Sequence, residues 1–192
     1  HLARIEATAS RMHALISDVL DVSRLRMGQR LDLKRQATDL VSLTRRAAAE
    51  LQVAPGGQNI QVQSEIPTLT GLWDAVRLER VVINLLSNAV KYNRAGEKID
   101  VGLTRLQIAG RRWAVLTVAD HGICIPSADM PHVFERFHRG SNVIGSIPGT
   151  GIGLHGARQI VEQHGGVVVL DSQEGQGTSV TVRLPLFNGA TP

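Results

Sequence analysis

The stretch DAVRLERVVINLLSNAVKY, Asp74–Tyr92, decides the fold. Asp74 stands where an N-cap belongs, and the residues behind it predict a long helix through Lys91. At about 100° per residue, Leu78, Val81, Val82, Ile83, Leu85, Leu86, Ala89 and Val90 cover most of its circumference, so the helix is expected to be buried on nearly every side. Arg80, Asn84, Ser87, Asn88 and Lys91 share the one narrow stripe that is left. Two asparagines one turn apart are not explained by helix propensity. Their carbonyl oxygens beside an ammonium suit a magnesium phosphate, because Mg²⁺ takes oxygen ligands and Lys supplies a point charge. A solvated face accounts for the same spacing equally well.

Working outward, Asp39 is placed as an N-cap before the helical pattern Leu40, Leu43, Ala47, Leu51, which Pro55, Gly56 and Gly57 close. Ile60 and Val62 read as a short strand. After the long helix, Ile99, Val101 and Leu103 alternate, as do Trp113, Val115 and Thr117, with Ala109 and Gly110 turning between them. A stretch rich in Gly, Ser and Pro then leads to a helix expected from about Gly151 to His164, stopped by Gly165 and Gly166. Residues 167–170 and 179–184 form the last hairpin. Antiparallel strands with helices between them predict an α+β fold, a two-layer α/β sandwich with helices on one face of a mixed sheet. At the other end, Ile5, Met12, Leu15, Ile16, Val19 and Val22 form an amphipathic helical stripe that Gly28 ends. A single helix cannot bury its own stripe, so the helix of residues 1–28 is expected to need a partner helix from another chain or from sequence that is missing here. Residues 29–38 read as a linker, 39–188 as the main domain and 189–192 as a tail.

Composition narrows the function. Of 192 residues, 43% are hydrophobic and 20% charged, which is globular rather than disordered or fibrous. Aromatics are only 3%, namely Trp73, Trp113, Tyr92, Phe134, Phe137 and Phe187, and offer few platforms for single-stranded nucleic acid. No nucleic-acid partner is expected. The net charge of +4 agrees with a polyanionic ligand such as a phosphate. A lone Cys124 excludes an intrachain disulfide framework and suits a reducing compartment. No apolar run reaches the roughly 20 residues of a membrane span, and no signal peptide opens the chain. The expected location is cytoplasmic, in a parent that can itself be membrane-anchored.

Two further clusters carry chemistry. Asp120 and Gly122 lie at the end of a predicted strand, where a carboxylate can accept from an exocyclic amine, which adenine has on its pairing edge at a position where guanine has a carbonyl. A strand-ending turn is the plainer reading of the same residues. Gly149, Thr150, Gly151, Ile152, Gly153 and Leu154 open a helix, where backbone N–H groups and the helix N-terminus favour an anion. Gly151, Gly153 and Gly156 also spell G-x-G-x-x-G, with Asp171 about 20 residues on. That motif has to follow a buried strand, and residues 140–148 contain only Val143 and Ile144 as an apolar pair, so a dinucleotide fold is set aside.

The order of the clusters is the strongest signal. Asn84-Leu85-Leu86-Ser87-Asn88-Ala89-Val90-Lys91-Tyr92, then Asp120-x-Gly122, Phe134-Glu135-Arg136-Phe137, Gly149-x-Gly151-x-Gly153 and Gly175-x-Gly177-Thr178 closely resemble the catalytic ATP-binding domain of sensor histidine kinases. Residues 11–24, from Arg11 and Met12 through Asp18, Asp21 and Arg24, resemble the second helix of that family's dimerisation and phosphoacceptor hairpin. The resemblance implies a Bergerat ATP-binding fold preceded by a long N-terminal helix. It implies that Asn84 and Asn88 hold Mg²⁺ and phosphate oxygens, Lys91 a phosphate, and that Tyr92 flanks the nucleotide. Asp120 would read the adenine amine, with Gly122 leaving room for the ring and Ile125 beside it. Gly149, Thr150, Gly151, Ile152, Gly153, Leu154 and Thr178 would complete the ATP site. Phe134, Arg136, Phe137 and Arg139 would belong to a mobile lid over residues 139–148. ATP and Mg²⁺ are the implied cofactors; a phosphoacceptor helix of the same or a sister subunit, a response regulator and a second copy in a homodimer are the implied partners.

Two departures from the family pattern stand out. Cys124 replaces a second glycine, where its side chain would crowd the adenine pocket or pack against it. None of the seven histidines has the setting of a phosphorylated one: His13 is on the second helix, His1 is terminal, and His121, His132, His138, His155 and His164 are expected at the surface or lid of the ATP-binding domain. The chain is therefore expected to bind ATP without phosphorylating itself. The competing readings are a degenerate scaffold of the same fold and an ATPase of the gyrase or chaperone branch, which places a Glu where Asn84 stands.

Overall fold

The computed structural model describes residues 32–53 and 59–186. The expected N-terminal helix, the turn at Pro55 and the tail lie outside the described residues. In chain order the elements are β1 (Gln36–Asp39), α1 (Leu40–Val53), β2 (Ile60–Ser64), β3 (Thr70–Trp73), α2 (Ala75–Tyr92), β4 (Ile99–Ile108), β5 (Arg111–Asp120), a 3₁₀ turn (Met130–His132), α3 (Gly153–Gln163), β6 (Val167–Gln173) and β7 (Gly177–Leu186). Five strands form one sheet in the order β2-β4-β5-β7-β6, parallel at β2–β4 and antiparallel elsewhere. The expected α+β sandwich with a mixed sheet is what the chain forms.

The core lies where the helices meet one face of the sheet. Asp74 caps α2 through a side-chain bond from the Arg77 N–H, as its position predicts, and α2 packs against both α1 and α3. Leu78, Val81, Val82, Leu85, Leu86 and Ala89 are buried there, opposite Val101, Leu103, Leu116, Val118 and Val182 of the sheet. Each such side chain contributes about 1.5–3 kcal/mol on burial. Among the described residues the helix is less enclosed than its sequence implied: Ile83 is exposed and Val90 half-buried, because no described element covers that flank. Asp39 caps α1 by accepting the Val41 and Ser42 N–H groups, and it also accepts the N–H of Leu69.

Three details depart from the pattern of the sequence. Residues 36–38, read as the end of a linker, and Asp39, read as an N-cap, form β1, which pairs antiparallel with β3; strands of four residues leave too short an alternation to detect. Trp73 of β3 is fully buried, and its Nε1 donates to the Pro185 carbonyl of β7 at 3.3 Å, which ties this small sheet to the large one. The third helix begins at Gly153 rather than Gly151, because Gly151 has φ +70° and a right-handed helix cannot include it.

His164, expected at the surface or lid, is instead buried at 1% exposure. Its Nδ1 donates to the Ile160 carbonyl at 2.7 Å and its Nε2 accepts the Asp74 N–H at 3.0 Å. The ring thus joins the C-terminus of α3 to the N-cap of α2 and is neutral in this arrangement. Burial is the main cause that pushes its pKa below the ordinary value. The unfolded chain therefore takes up a proton before the folded one does, so this contribution is complete above the ordinary histidine range and is lost as pH falls through it. Urea unfolding should show stability dropping between pH 8 and pH 5.5. In His164→Gln the drop should shrink, with about 1–3 kcal/mol already lost at pH 8 from the weakened buried hydrogen bonds.

Candidate functional site

The amide stripe of α2 runs along the glycine-rich segment that opens α3. A Cβ on Gly153 would fall 2.4 Å from the Asn84 amide nitrogen, and one on Gly149 would fall 2.6 Å from Lys91 Nζ. Asn84, Asn88 and Lys91 are half-buried, so the stripe is not simply a solvated face. Asn88 Nδ2 donates to Asn84 Oδ1 at 3.1 Å, one turn apart. Lys91 Nζ donates to the Tyr92 hydroxyl at 3.0 Å and lies 4.6 Å from the ring centroid.

Arg139 approaches the same glycine. Its Nε would lie 3.7 Å from a Gly149 Cβ, and among the described residues this nitrogen is buried without a hydrogen-bond partner. Its Nη2 donates to the carbonyls of Val143 and Ile147. Two cationic side chains therefore converge on bare backbone, an arrangement that suits an anion.

Asp120 ends β5 and is 8% exposed. Its carboxylate accepts the Gly122 N–H at 2.9 Å and the Thr178 backbone N–H. Burial is the larger influence and raises its pKa above the ordinary carboxylate value, while these two N–H bonds oppose the rise. The loop that follows is fastened to the end of α2. The Tyr92 carbonyl accepts the Ile123 N–H at 2.9 Å, and a Cβ on Gly122 would fall 1.9 Å from the same oxygen. Asn93, which the sequence reading passed over, accepts the His121 N–H at 3.1 Å on its side-chain oxygen. An Asn directly after a helix is a recognised C-terminal signal and could have marked it. Ile125 donates its N–H to Ser172 Oγ at 2.9 Å, and Thr178 stands opposite Asp120 in the β5–β7 register. Cys124 directs its sulfur to the Gln173 carbonyl at 2.9 Å, at the end of the β6–β7 hairpin.

The expected lid residues divide. Phe134 is half-buried, with the Arg158 guanidinium 5.3 Å from its ring centroid. Arg136 Nε donates to His155 Nε2 at 2.9 Å, and His155 Nδ1 donates to the Phe134 carbonyl at 2.9 Å. The ring of Phe137 is 69% exposed; its backbone makes the attachment instead, with φ +63° and an N–H donated to the Gly151 carbonyl at 2.9 Å. Residues 139–148 form turns in which Val143 is buried and Ile144 exposed, and Asp129 holds Ser141 through its N–H and Oγ. In the glycine segment Thr150 is exposed, Ile152 buried and Leu154 half-buried. No group of three or more His, Cys, Asp or Glu among the described residues is arranged to hold a metal ion.

Residues 73–188 match the family described as histidine kinase-, DNA gyrase B-, and HSP90-like ATPase. The chain belongs to that family. Its relatives within this ATPase family include sensor kinases. It is 32% identical to the sensor histidine kinase RppB of Synechocystis sp. over 97% of this chain and 41% of that protein. It is 35% identical to the sensor histidine kinase TrcS of Mycobacterium tuberculosis, over 97% of this chain and 36% of that protein. The chain thus spans less than half the length of these relatives. Among solved structures, ShkA in complex with AMPPNP aligns with a TM-score of 0.75 at 25% identity, covering 94% of this chain and 37% of that one. The mycobacterial sensor histidine kinase MprB aligns with a TM-score of 0.66 at 29% identity, over 79% of this chain and 97% of that one. No described helix of this family member is long and apolar enough to cross a membrane.

The contact of Gly122 with the Tyr92 carbonyl is one that backbone cannot yield cheaply. Gly122→Ala should lower stability by about 3 kcal/mol, high in the range for one substitution, as read from urea unfolding. Gly96→Ala is the control for close approach, since a Cβ there meets nothing within 4 Å; its loss should be limited to the strain of the left-handed backbone, about 1–2 kcal/mol.

Proposed function

We propose that this chain is the ATP-binding catalytic part of a two-component sensor histidine kinase. It donates the γ-phosphate of Mg-ATP to a phosphoacceptor histidine on the other helix of the hairpin, of the same or a sister subunit, for relay to a response regulator. The observation that carries this reading is the joint placement of Asn84 and Lys91 against bare glycine backbone, with Asn88 bonded to Asn84 one turn on and Arg139 brought to the same glycine as Lys91. The AMPPNP complex of ShkA supports the choice of nucleotide.

The residues fit the ligand. Lys91 and the Arg139 Nε would take phosphate oxygens, helped by the N–H groups of Gly149, Gly151 and Gly153. Asn84 and Asn88 offer neutral amide oxygens of the kind a hard cation accepts alongside phosphate and water, so they would hold Mg²⁺. Bound there, Mg²⁺ supplies neutralisation of phosphate charge. Asp120 would accept from the adenine amine, while Ile125 and Thr178 border the base. Tyr92 holds the Lys91 ammonium in place through its hydroxyl. Phosphoryl transfer of this kind depends on positioning and charge rather than on covalent chemistry by the protein. Asn84 cannot act as a general base toward water, which favours transfer to a histidine over hydrolysis. A scaffold that binds no nucleotide is the competing outcome.

Mg-ATP at 100 times its dissociation constant should stabilise the chain by about 2.7 kcal/mol, visible as a thermal shift. Asp120→Asn should weaken ATP binding by about 1.5–3 kcal/mol, roughly ten- to hundredfold, and leave the weaker GTP binding little changed. Calorimetric titration of both nucleotides checks this, and undiminished ATP affinity in the variant would remove Asp120 from the site. Gly153→Ala, which displaces the Asn84 amide, should reduce Mg-ATP affinity at least about tenfold.

A further inference from the structure

Three side chains stand in a row across the ends of three strands, on the face of the sheet that the helices cover. Asp120 of β5 is opposite Thr178 of β7, and Thr178 is opposite Ser172 of β6. Asp120 and Thr178 are already candidates for reading the base. Ser172 is not, yet its hydroxyl is the most connected in this region: it accepts the Ile125 N–H at 2.9 Å, and lies 3.1 Å from the Gly177 carbonyl and 3.0 Å from Thr178 Oγ1.

A serine hydroxyl has one proton and two lone pairs. The Ile125 N–H takes one lone pair. The Gly177 carbonyl can only accept, so the Ser172 proton goes to it. The remaining contact is then one in which Thr178 donates and Ser172 accepts. This uses the single proton of the Thr178 hydroxyl and leaves only lone pairs on its oxygen. Asp120, ionised, is likewise an acceptor, and it is held beside Thr178 by that residue's own backbone N–H.

We propose that Ser172 is a specificity-determining positioning residue: by fixing the direction of the Thr178 hydroxyl proton it makes Asp120 and Thr178 a double acceptor, which selects a purine carrying an exocyclic amine over one carrying a carbonyl. The inference rests on the ATP-binding reading above and deepens it. An amine at the purine 6-position presents N–H groups to such a pair. A carbonyl at the same position has nothing to donate and meets two oxygens, each without an available proton. Without Ser172, the Thr178 hydroxyl is no longer held with its lone pairs toward the base, so the amine loses a fixed acceptor and discrimination falls.

The test measures binding of Mg-ATP and Mg-ITP by calorimetry on the full chain, ITP being the nucleotide with a carbonyl at that position, a proton on N1 and no amine on the 2-position. Wild type should prefer ATP. Ser172→Ala should weaken ATP about tenfold while changing ITP by less than about twofold, so that the preference collapses. Thr178→Val should do the same, the double variant should be no worse than Thr178→Val alone, and Ser172→Thr, which keeps the hydroxyl, should restore the preference. Equal weakening of both nucleotides by Ser172→Ala would mean that the residue merely holds the Ile125 loop, and would overturn the proposal. Additive effects in the double variant would also overturn it. Should Ser172→Ala fail to fold, Thr178→Val decides: an intact preference there sinks the idea. Wild type that binds ATP and ITP equally overturns this inference and leaves the ATP-binding reading standing. Wild type that binds neither removes both.

Discussion

Side chains of one helix touching backbone of another segment, with no Cβ between them, is the constraint on which the site depends. Asn84 and Lys91 lie seven residues apart, two turns of α2, and meet Gly153 and Gly149 respectively. A Cβ at Gly153 would press on the Asn84 amide, and one at Gly149 would require the tip of Lys91 to swing aside. The same closeness brings backbone N–H groups beside Lys91 and Arg139, so that the region is rich in donors and positive charge. Packing and electrostatics thus have a single cause.

The opposite chemistry is placed at the end of the same helix. Asp120 is buried, which raises the cost of its charge, while bonds from backbone N–H groups offset part of that cost and favour its role as an acceptor. Its loop is fastened to α2 through the Tyr92 carbonyl and Asn93. One rigid rod therefore holds a cationic region and an anionic one in fixed relation, which suits a ligand with phosphates at one end and an amine-bearing base at the other.

The far end of that rod is tied to the point where the chain enters the domain. Asp74 accepts the Lys34 N–H at 3.0 Å as well as capping α2, and Arg35 donates to the Gln163 carbonyl at 3.0 Å, at the end of α3. His164 joins the two helices between these contacts. Displacement of the entering strand would act on the N-cap of one site helix and the C-terminus of the other.

Period and order were enough for much of this. The 3.6-residue stripe of residues 74–92, the alternation in β4 and β5 and the glycines before α3 each report a local preference, and local preferences survive in any context. They placed the three described helices to within two residues and brought Asn84, Asn88, Lys91, Asp120 and Gly149 forward as candidates. What they could not decide was which half of an ambiguous stripe meets solvent, where Phe137 and His164 point, or that residues 36–39 join a strand. Those depend on partners distant in sequence: Gly153 for Asn84, Asp74 for His164, Trp73 for Gln36. The direction of a hydroxyl proton at Thr178 is further still from the sequence, because it follows from Ser172 and Ile125 on two other segments together with the Gly177 carbonyl of its own strand, and exists only once the strands are in register.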